Sequence, residues 1–217
     1  MALSTHWEWR GFGDVSPRFA ARFDTLEPAF GDGAAQVFVD EYLWIPGVDV
    51  NLKFRRGTGT QDGLKFKRLN ETRETVEKWT ESADEIFPFP LNPRAWELLR
   101  LAMNIPAARK FRPPQDAGRD DAIHFLQKQD LRIQTVTVKK RRRSATWGER
   151  GSVKVELAEI LSPVATKSVG LEIWDPFRQL EDDASVTLLT AAAVALELDK
   201  EALRVMNYLE FIAECVA

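Results

Sequence analysis

Apolar and polar residues alternate with period two in five separate stretches of this chain, and in each the polar side is charged. In LKFR, Lys53 and Arg55 oppose Leu52 and Phe54; in LKFK, Lys65 and Lys67 oppose Leu64 and Phe66. In TVTVKKRRR, Thr137, Lys139, Arg141 and Arg143 lie opposite Val136 and Val138, which leaves Lys140 and Arg142 pointing outward. In SVKVELAEI, Lys154 and Glu156 oppose Val153, Val155 and Leu157; in SVGLEI, Ser168, Gly170 and Glu172 oppose Val169, Leu171 and Ile173. The opening THWEWRGFG repeats the theme, with His6, Glu8 and Arg10 on one side and Trp7 and Trp9 on the other. Strict alternation over such lengths predicts β-strands with one apolar face.

The punctuation fills in the rest. Ser16 and Pro17 predict a helix start, with Phe19, Phe23 and Leu26 recurring at helical spacing. AQVFVDEYLWIP predicts a strand ended by Pro46, and RGTGTQDG joins the LKFR and LKFK arms as a hairpin. TRETVEKWTES predicts a further strand. Here Arg73 and Glu77 share one parity, while Val76 and Trp79 give conflicting cues. After the proline-rich FPFPLNPR, Asn92 and Pro93 open a helix that Pro106 closes. The stretch FRPPQDAGRDD predicts a loop. GERG predicts a turn, and the tail predicts two helices. Val186, Leu189, Ala193 and Leu196 form the apolar face of the first; Leu203, Met206, Leu209, Phe211 and Ile212 form that of the second. The sum is an α+β pattern of mostly antiparallel strands with helices between and after them.

Two arrangements fit these strands. One is a sheet whose apolar face packs on helices and whose charged face meets water. The other is an eight-stranded antiparallel barrel, closed or nearly so, whose apolar residues face outward onto flanking helices and whose charges line a tunnel. Like charges crowded into a lumen repel, so a cationic lining calls for a polyanion. A triphosphate matches that charge and accepts Arg and Lys donors, and inward Glu residues would hold a divalent ion shared with phosphate oxygens.

Composition narrows the alternatives. The 217 residues are 44% apolar and 29% charged, with a net charge of −3, so no global basic field favours nucleic acid. The single cysteine, Cys215, excludes an intrachain disulfide. Only His6 and His124 offer imidazoles, which argues against a multi-histidine zinc site. No signal pattern opens the chain, and no apolar run is long enough to cross a bilayer. The expectation is one domain over residues 1–217, in a reducing, cytoplasmic setting without a membrane partner.

In several places at once, and in the same order, the sequence resembles CYTH-type proteins, the triphosphate tunnel metalloenzyme superfamily. The family's ExExK strand is matched by His6, Glu8 and Arg10; its LRIR-type and LTLK-type strands by LKFR and LKFK; and its KxR strand by Lys139 and Arg141. Its late paired acids are matched by SVGLEI, where Glu172 remains, and its closing helix by NYLEF. The resemblance implies an eight-stranded tunnel that cleaves or cyclises triphosphates with Mg²⁺ or Mn²⁺. It implies phosphate contacts at Lys53, Arg55, Lys65, Lys67, Arg73, Lys139 and Arg141. Metal ligands would be Glu8, Glu156 and Glu172, with Glu8, Arg10 and Glu172 carrying catalysis. The sequence departs from the family with His6 for the first acid, Arg10 for the lysine and Gly170 for the first acid of the late pair. Three readings follow: hydrolysis of inorganic or organic triphosphate, a non-catalytic module that binds a phosphorylated ligand or polyphosphate, and adenylate cyclase-type cyclisation.

Overall fold

A computed structural model describes residues 4–57, 62–81, 86–106, 110–129, 132–149, 152–173 and 180–216. Parts of the LKFR–LKFK connection and of GERG, and Trp174 and Asp175 beyond SVGLEI, lie outside these residues. Eight strands close into an antiparallel barrel: β1 (Ser4–Asp14), β6 (Val76–Glu81), β5 (Gly63–Arg73), β4 (Val50–Gly57), β3 (Gln36–Trp44), β7 (Gln134–Trp147), β8 (Val153–Ser162) and β9 (Thr166–Ile173), with β9 returning to pair with β1. Two short strands are added outside this circuit. β2 (Glu27–Pro28) pairs with β7, and β10 (Ala202–Val205) pairs with β1. Closure leaves no long unpaired edge among the eight strands, which is how a sheet this strongly alternating avoids self-association.

The apolar faces point outward, onto helices. On one side lie α1 (Pro17–Phe23) and α4 (Asp182–Ala195). There Trp7, Trp9, Val76, Val153, Val155, Val169 and Leu171 are buried with Phe19, Phe23, Leu189 and Ala192. On the other side, α2 (Pro93–Ala102) and α3 (Arg119–Gln129) cover Leu43, Leu52, Phe54 and Leu64 with Trp96, Leu99, Ile123 and Leu126. Each fully covered large side chain contributes about 1.5–3 kcal/mol by leaving water. The helix caps act as the sequence indicates: Ser16 Oγ accepts from Phe19 N–H at 3.1 Å, and Asn92 Oδ1 from Ala95 N–H at 2.8 Å.

A third apolar cluster closes one end of the lumen. Phe12, Tyr42, Val136, Val138, Ala158 and Ile160 of the strands meet Tyr208, Phe211 and Ile212 of α5 (Tyr208–Val216). Phe12 and Phe211 stack with centroids 4.5 Å apart. The barrel is therefore greasy outside, charged in the middle and plugged at this end.

Two sequence expectations are corrected here. The loop placed over 111–121 gives way at Arg119 to α3, which runs to Gln129 and buries Ala122, Ile123 and Leu126. Gly118 opens it, with Ala122 N–H donating to Gly118 C=O at 3.0 Å. The second tail helix is shorter than its apolar spacing indicates. Leu203 lies in β10, Met206 in the connection, and only Tyr208–Val216 is helical. Residue 13 makes the β1–β10 pairing possible: a Cβ there would lie 2.1 Å from Ala202 C=O, and its φ of 151° favours glycine.

Candidate active site

Register fixes which side chains share the lumen, because residues directly opposite in an antiparallel ladder project to the same face. Glu8 stands opposite both Glu77 and Glu172, and Arg10 opposite Gly170. Lys154 is opposite Glu172, and Glu156 is opposite both Gly170 and Ser144. Arg142 and Lys140 face inward beside Gln36 and Phe38; Asp40 and Tyr42 stand across from Arg55 and Lys53. Lys65 is opposite Lys53, and Lys67 is opposite Glu81. Among the described residues this lining holds eight cations (Arg10, Lys53, Arg55, Lys65, Lys67, Lys140, Arg142, Lys154) and six carboxylates (Glu8, Asp40, Glu77, Glu81, Glu156, Glu172).

Three of the cations expected at the phosphates lie elsewhere. Lys139 is exposed, and Arg141 has a side chain 58% exposed that pairs on the outer surface with Glu159 at 3.7 Å. Parity on β7 is opposite to the expectation because Val136 and Val138 are inward plug residues rather than outward ones. Lys140 and Arg142 therefore enter the lumen. Arg73 also faces out. It stands opposite Val76, which packs in the outer layer, and it bonds Glu71 and Asp183 at 2.6 Å each. A tight turn at Glu74, with φ 53°, separates it from β6, so parity does not carry across. In β6 it is Glu77, Trp79 and Glu81 that face inward.

The lining is largely neutralised from within. Asp40, fully buried, takes two bonds of 2.7 Å from Arg55 and has Lys53 and Lys140 at 3.6 Å each. Burial alone would raise the Asp40 carboxyl, but Lys53, Arg55 and Lys140 hold it well below the usual carboxylate range. Glu156 bonds Arg10 at 3.0 Å and Arg142 at 3.2 Å, and against its burial these two cations keep it ionised. Phe38 lies between Arg55 and Arg142, whose guanidinium carbons stand 4.6 and 4.2 Å from the ring centre. At the plug, Lys140 Nζ lies 3.1 Å from Tyr208 Oη and Arg10 stacks on the Tyr208 ring at 5.0 Å.

Two lysines carry the strain of the enclosure. Burial pushes the Lys53 ammonium well below its ordinary pKa, with Asp40 opposing and Arg55 and Lys140 adding to the shift. Lys65 moves the same way, through burial and then Arg55, and among the described residues it has no carboxylate within ion-pair distance. An incoming anion would relieve both.

On the β1–β9 side, His6, Glu8 and Glu172 bring one ligand atom each to within 4.8 Å of one another. His6 Nε2 is 3.6 Å from Glu8 Oε2 and 3.8 Å from Glu172 Oε1. That nitrogen is buried and has no hydrogen-bond partner. Lys67 bonds Glu8 at 2.5 Å and Lys154 bonds Glu172 at 3.3 Å. Burial would raise both carboxyls, but Lys67, His6 and Arg10 hold Glu8 well down, and Lys154, His6 and Lys67 bring Glu172 to about 2. Both carboxylates are thus anionic at any ordinary pH. An imidazole nitrogen without a partner beside two carboxylates fits a divalent cation. Glu156, expected in this role, lies outside the cluster and is committed to Arg10 and Arg142. Of the residues brought together here, Asp40, Lys140 and Arg142 are not indicated by the sequence, and His6 only by its parity with Glu8.

No family model matches the sequence, and no curated protein matches it. Solved structures do. The PH1819 protein from Pyrococcus horikoshii OT3 is 14% identical, with a TM-score of 0.55 over 95% of this chain and 98% of that one. A putative adenylyl cyclase from Hippeastrum, described as having a dominant triphosphatase activity, is 12% identical, with a TM-score of 0.46 over 88% of each chain. The mimivirus capping enzyme triphosphatase is 10% identical, with a TM-score of 0.45 over 89% of each. The closed eight-stranded barrel is the tunnel architecture that the resemblance to CYTH-type proteins implies. Among the described residues, no helix is long and apolar enough to cross a membrane.

Proposed function

We propose that residues 1–217 form one CYTH-like domain that hydrolyses a triphosphate, inorganic or organic, with a divalent metal inside the barrel, in a reducing, cytoplasmic compartment. The supporting observation is the convergence of an ionised Glu8–Glu172 pair with the lumen cations of β4, β5 and β7 in one closed barrel. Lys53, Lys65, Lys67 and Arg142 bind and orient the phosphates. Arg10 holds Glu156 and presents a fixed positive charge toward the lumen. Glu8 and Glu172, with His6, would hold the metal, which supplies Lewis-acid polarisation of phosphoryl oxygens when bound. Catalysis then rests on positioning and preorganised charge rather than on a protein nucleophile.

The internal pairing favours a second reading, a binding module. Arg55, Arg10 and Lys67 already have carboxylate partners, so a ligand must compete for them. Incubation with tripolyphosphate, ATP or thiamine triphosphate, with and without Mg²⁺ or Mn²⁺, separates the readings. Hydrolysis predicts metal-dependent phosphate release that Glu8→Gln and Glu172→Gln abolish; cyclisation predicts a cyclic nucleotide from ATP. Saturable binding without turnover, under every metal, would leave the module reading.

A further inference from the structure

We propose that the ion-binding cluster is a mixed imidazole–carboxylate site, with His6 Nε2 as a direct ligand, selective for a transition-series dication of the Mn²⁺ and Zn²⁺ class over Mg²⁺. The ion's catalytic purpose rests on the hydrolase reading; its binding does not. The His6 side chain is 9% exposed, and its Nε2 is an orphaned polar atom aimed at Glu8 and Glu172. Leaving a buried donor or acceptor unpaired costs about 1–3 kcal/mol, so this atom calls for a partner. On Glu172 the oxygen nearest His6, Oε1, is not the one Lys154 bonds; on Glu8 the nearest oxygen, Oε2, also takes the Lys67 bond, so a bound ion competes with Lys67 there.

The far side of the ring supports the same reading. Glu81 Oε1 stands 3.9 Å from His6 Nδ1. That is an ion-pair distance, longer than a hydrogen bond; on ion binding, closure of this gap would give the carboxylate–imidazole arrangement that fixes tautomer and raises basicity around protein-bound metals. Glu81 reaches this place because β6 pairs with the start of β1. Ligand chemistry then sets the preference. Mg²⁺ is hard, demands oxygen ligands and parts with water reluctantly. Imidazole adds little for Mg²⁺ but strengthens binding of first-row transition dications, least for Mn²⁺ and more for Zn²⁺.

The test uses the full chain without phosphate ligand and Mn²⁺ alone as probe. The expected result is saturable Mn²⁺ binding, with Mg²⁺ at least about tenfold weaker in competition, and ¹⁴N modulation in pulsed EPR of the bound ion. His6→Gln removes the nitrogen signal and weakens Mn²⁺ binding by about tenfold or more. His6→Glu also removes the signal and brings Mg²⁺ and Mn²⁺ closer together, while circular dichroism checks that each variant is folded. Glu81→Gln keeps the nitrogen signal and weakens the ion less. Absence of ¹⁴N coupling in folded wild type, equal competition by Mg²⁺, or no Mn²⁺ binding would each overturn the proposal. Nitrogen-coupled Mn²⁺ in a chain that turns over no triphosphate would count against the hydrolase reading and uphold this one.

Discussion

The guanidinium of Arg10 fills the space that a side chain at position 170 would need. A Cβ on Gly170 would lie 2.7 Å from Arg10 Nη2, 2.9 Å from Cζ and 3.0 Å from Nη1. Arg10 in turn bonds Glu156 at 3.0 Å and Ser168 Oγ at 3.1 Å. Arg10 and Gly170, both departures from the CYTH-type pattern that the sequence resembles, thus share one volume: the guanidinium occupies what the glycine leaves open.

Gly170→Ala displaces Arg10 from Glu156 and destabilises the fold by about 1–3 kcal/mol, the usual cost of overpacking. Arg10→Lys frees that volume, so the double variant is more stable than the sum of the single effects predicts. Urea denaturation of all four proteins measures the coupling. Simple additivity would mean that the two positions do not share the space.

Asp40 is the counter-charge for the plugged end. Asp40→Asn leaves Arg55, Lys53 and Lys140 buried together without it and lowers stability by about 3–5 kcal/mol, again read by chemical denaturation. A loss within the range of surface substitutions would show that the three cations find other partners.

On β7, Lys140 and Arg142 rather than Lys139 and Arg141 face the lumen, and Arg142 is the one placed to contact the proposed ligand. Each charged contact is worth about 1.5–3 kcal/mol, so Arg142→Gln weakens tripolyphosphate binding by roughly tenfold or more in calorimetry. Lys139→Ala and Arg141→Ala leave affinity and thermal stability nearly unchanged.

Stability depends on pH in two windows. Glu172 has a folded pKa of about 2 against 4.5 for a free glutamate, so its stabilising contribution is complete above pH 4.5 and is lost as pH falls toward 2. Glu8, Asp40 and Glu156 are depressed in the same sense, which deepens the acid loss. Lys53 is also depressed, so the linkage keeps the same sign in a separate, higher pH window. Between its folded pKa and the ordinary 10.5 the unfolded chain binds more protons, so stability rises with pH. Denaturation midpoints across pH show both windows, and Lys53→Met flattens the alkaline rise.

The fold was legible because alternation on the strands is so regular. Once apolar faces pack outward on helices, six charged faces have nowhere to meet but a lumen. Glu8, Arg10, Lys53, Arg55, Lys65, Lys67, Glu156 and Glu172 share the parity the sequence indicates for them. On β7 the same rule misled, because Val136 and Val138 look like outward residues until α5 is seen to plug the barrel against them. Arg73 misled because a two-residue turn resets parity. Asp40 sits beside a second acid, Glu41, which pairs outside the lumen with Arg119 at 3.4 Å, and nothing local marks Asp40 as the counter-ion of three residues distant in sequence. The amphipathic stretch that forms α3 is masked by the proline- and glycine-rich segment just before it.

A crystal structure with Mn²⁺ and a non-hydrolysable tripolyphosphate analogue tests the central claim most directly. Density for the anion is expected inside the barrel, with its oxygens within hydrogen-bond distance of Lys65, Lys67 and Arg142 and the ion between the phosphates and Glu8 and Glu172. An anion bound only on the outer surface, at Arg141 or Arg73, with the lumen ion pairs undisturbed, would contradict it.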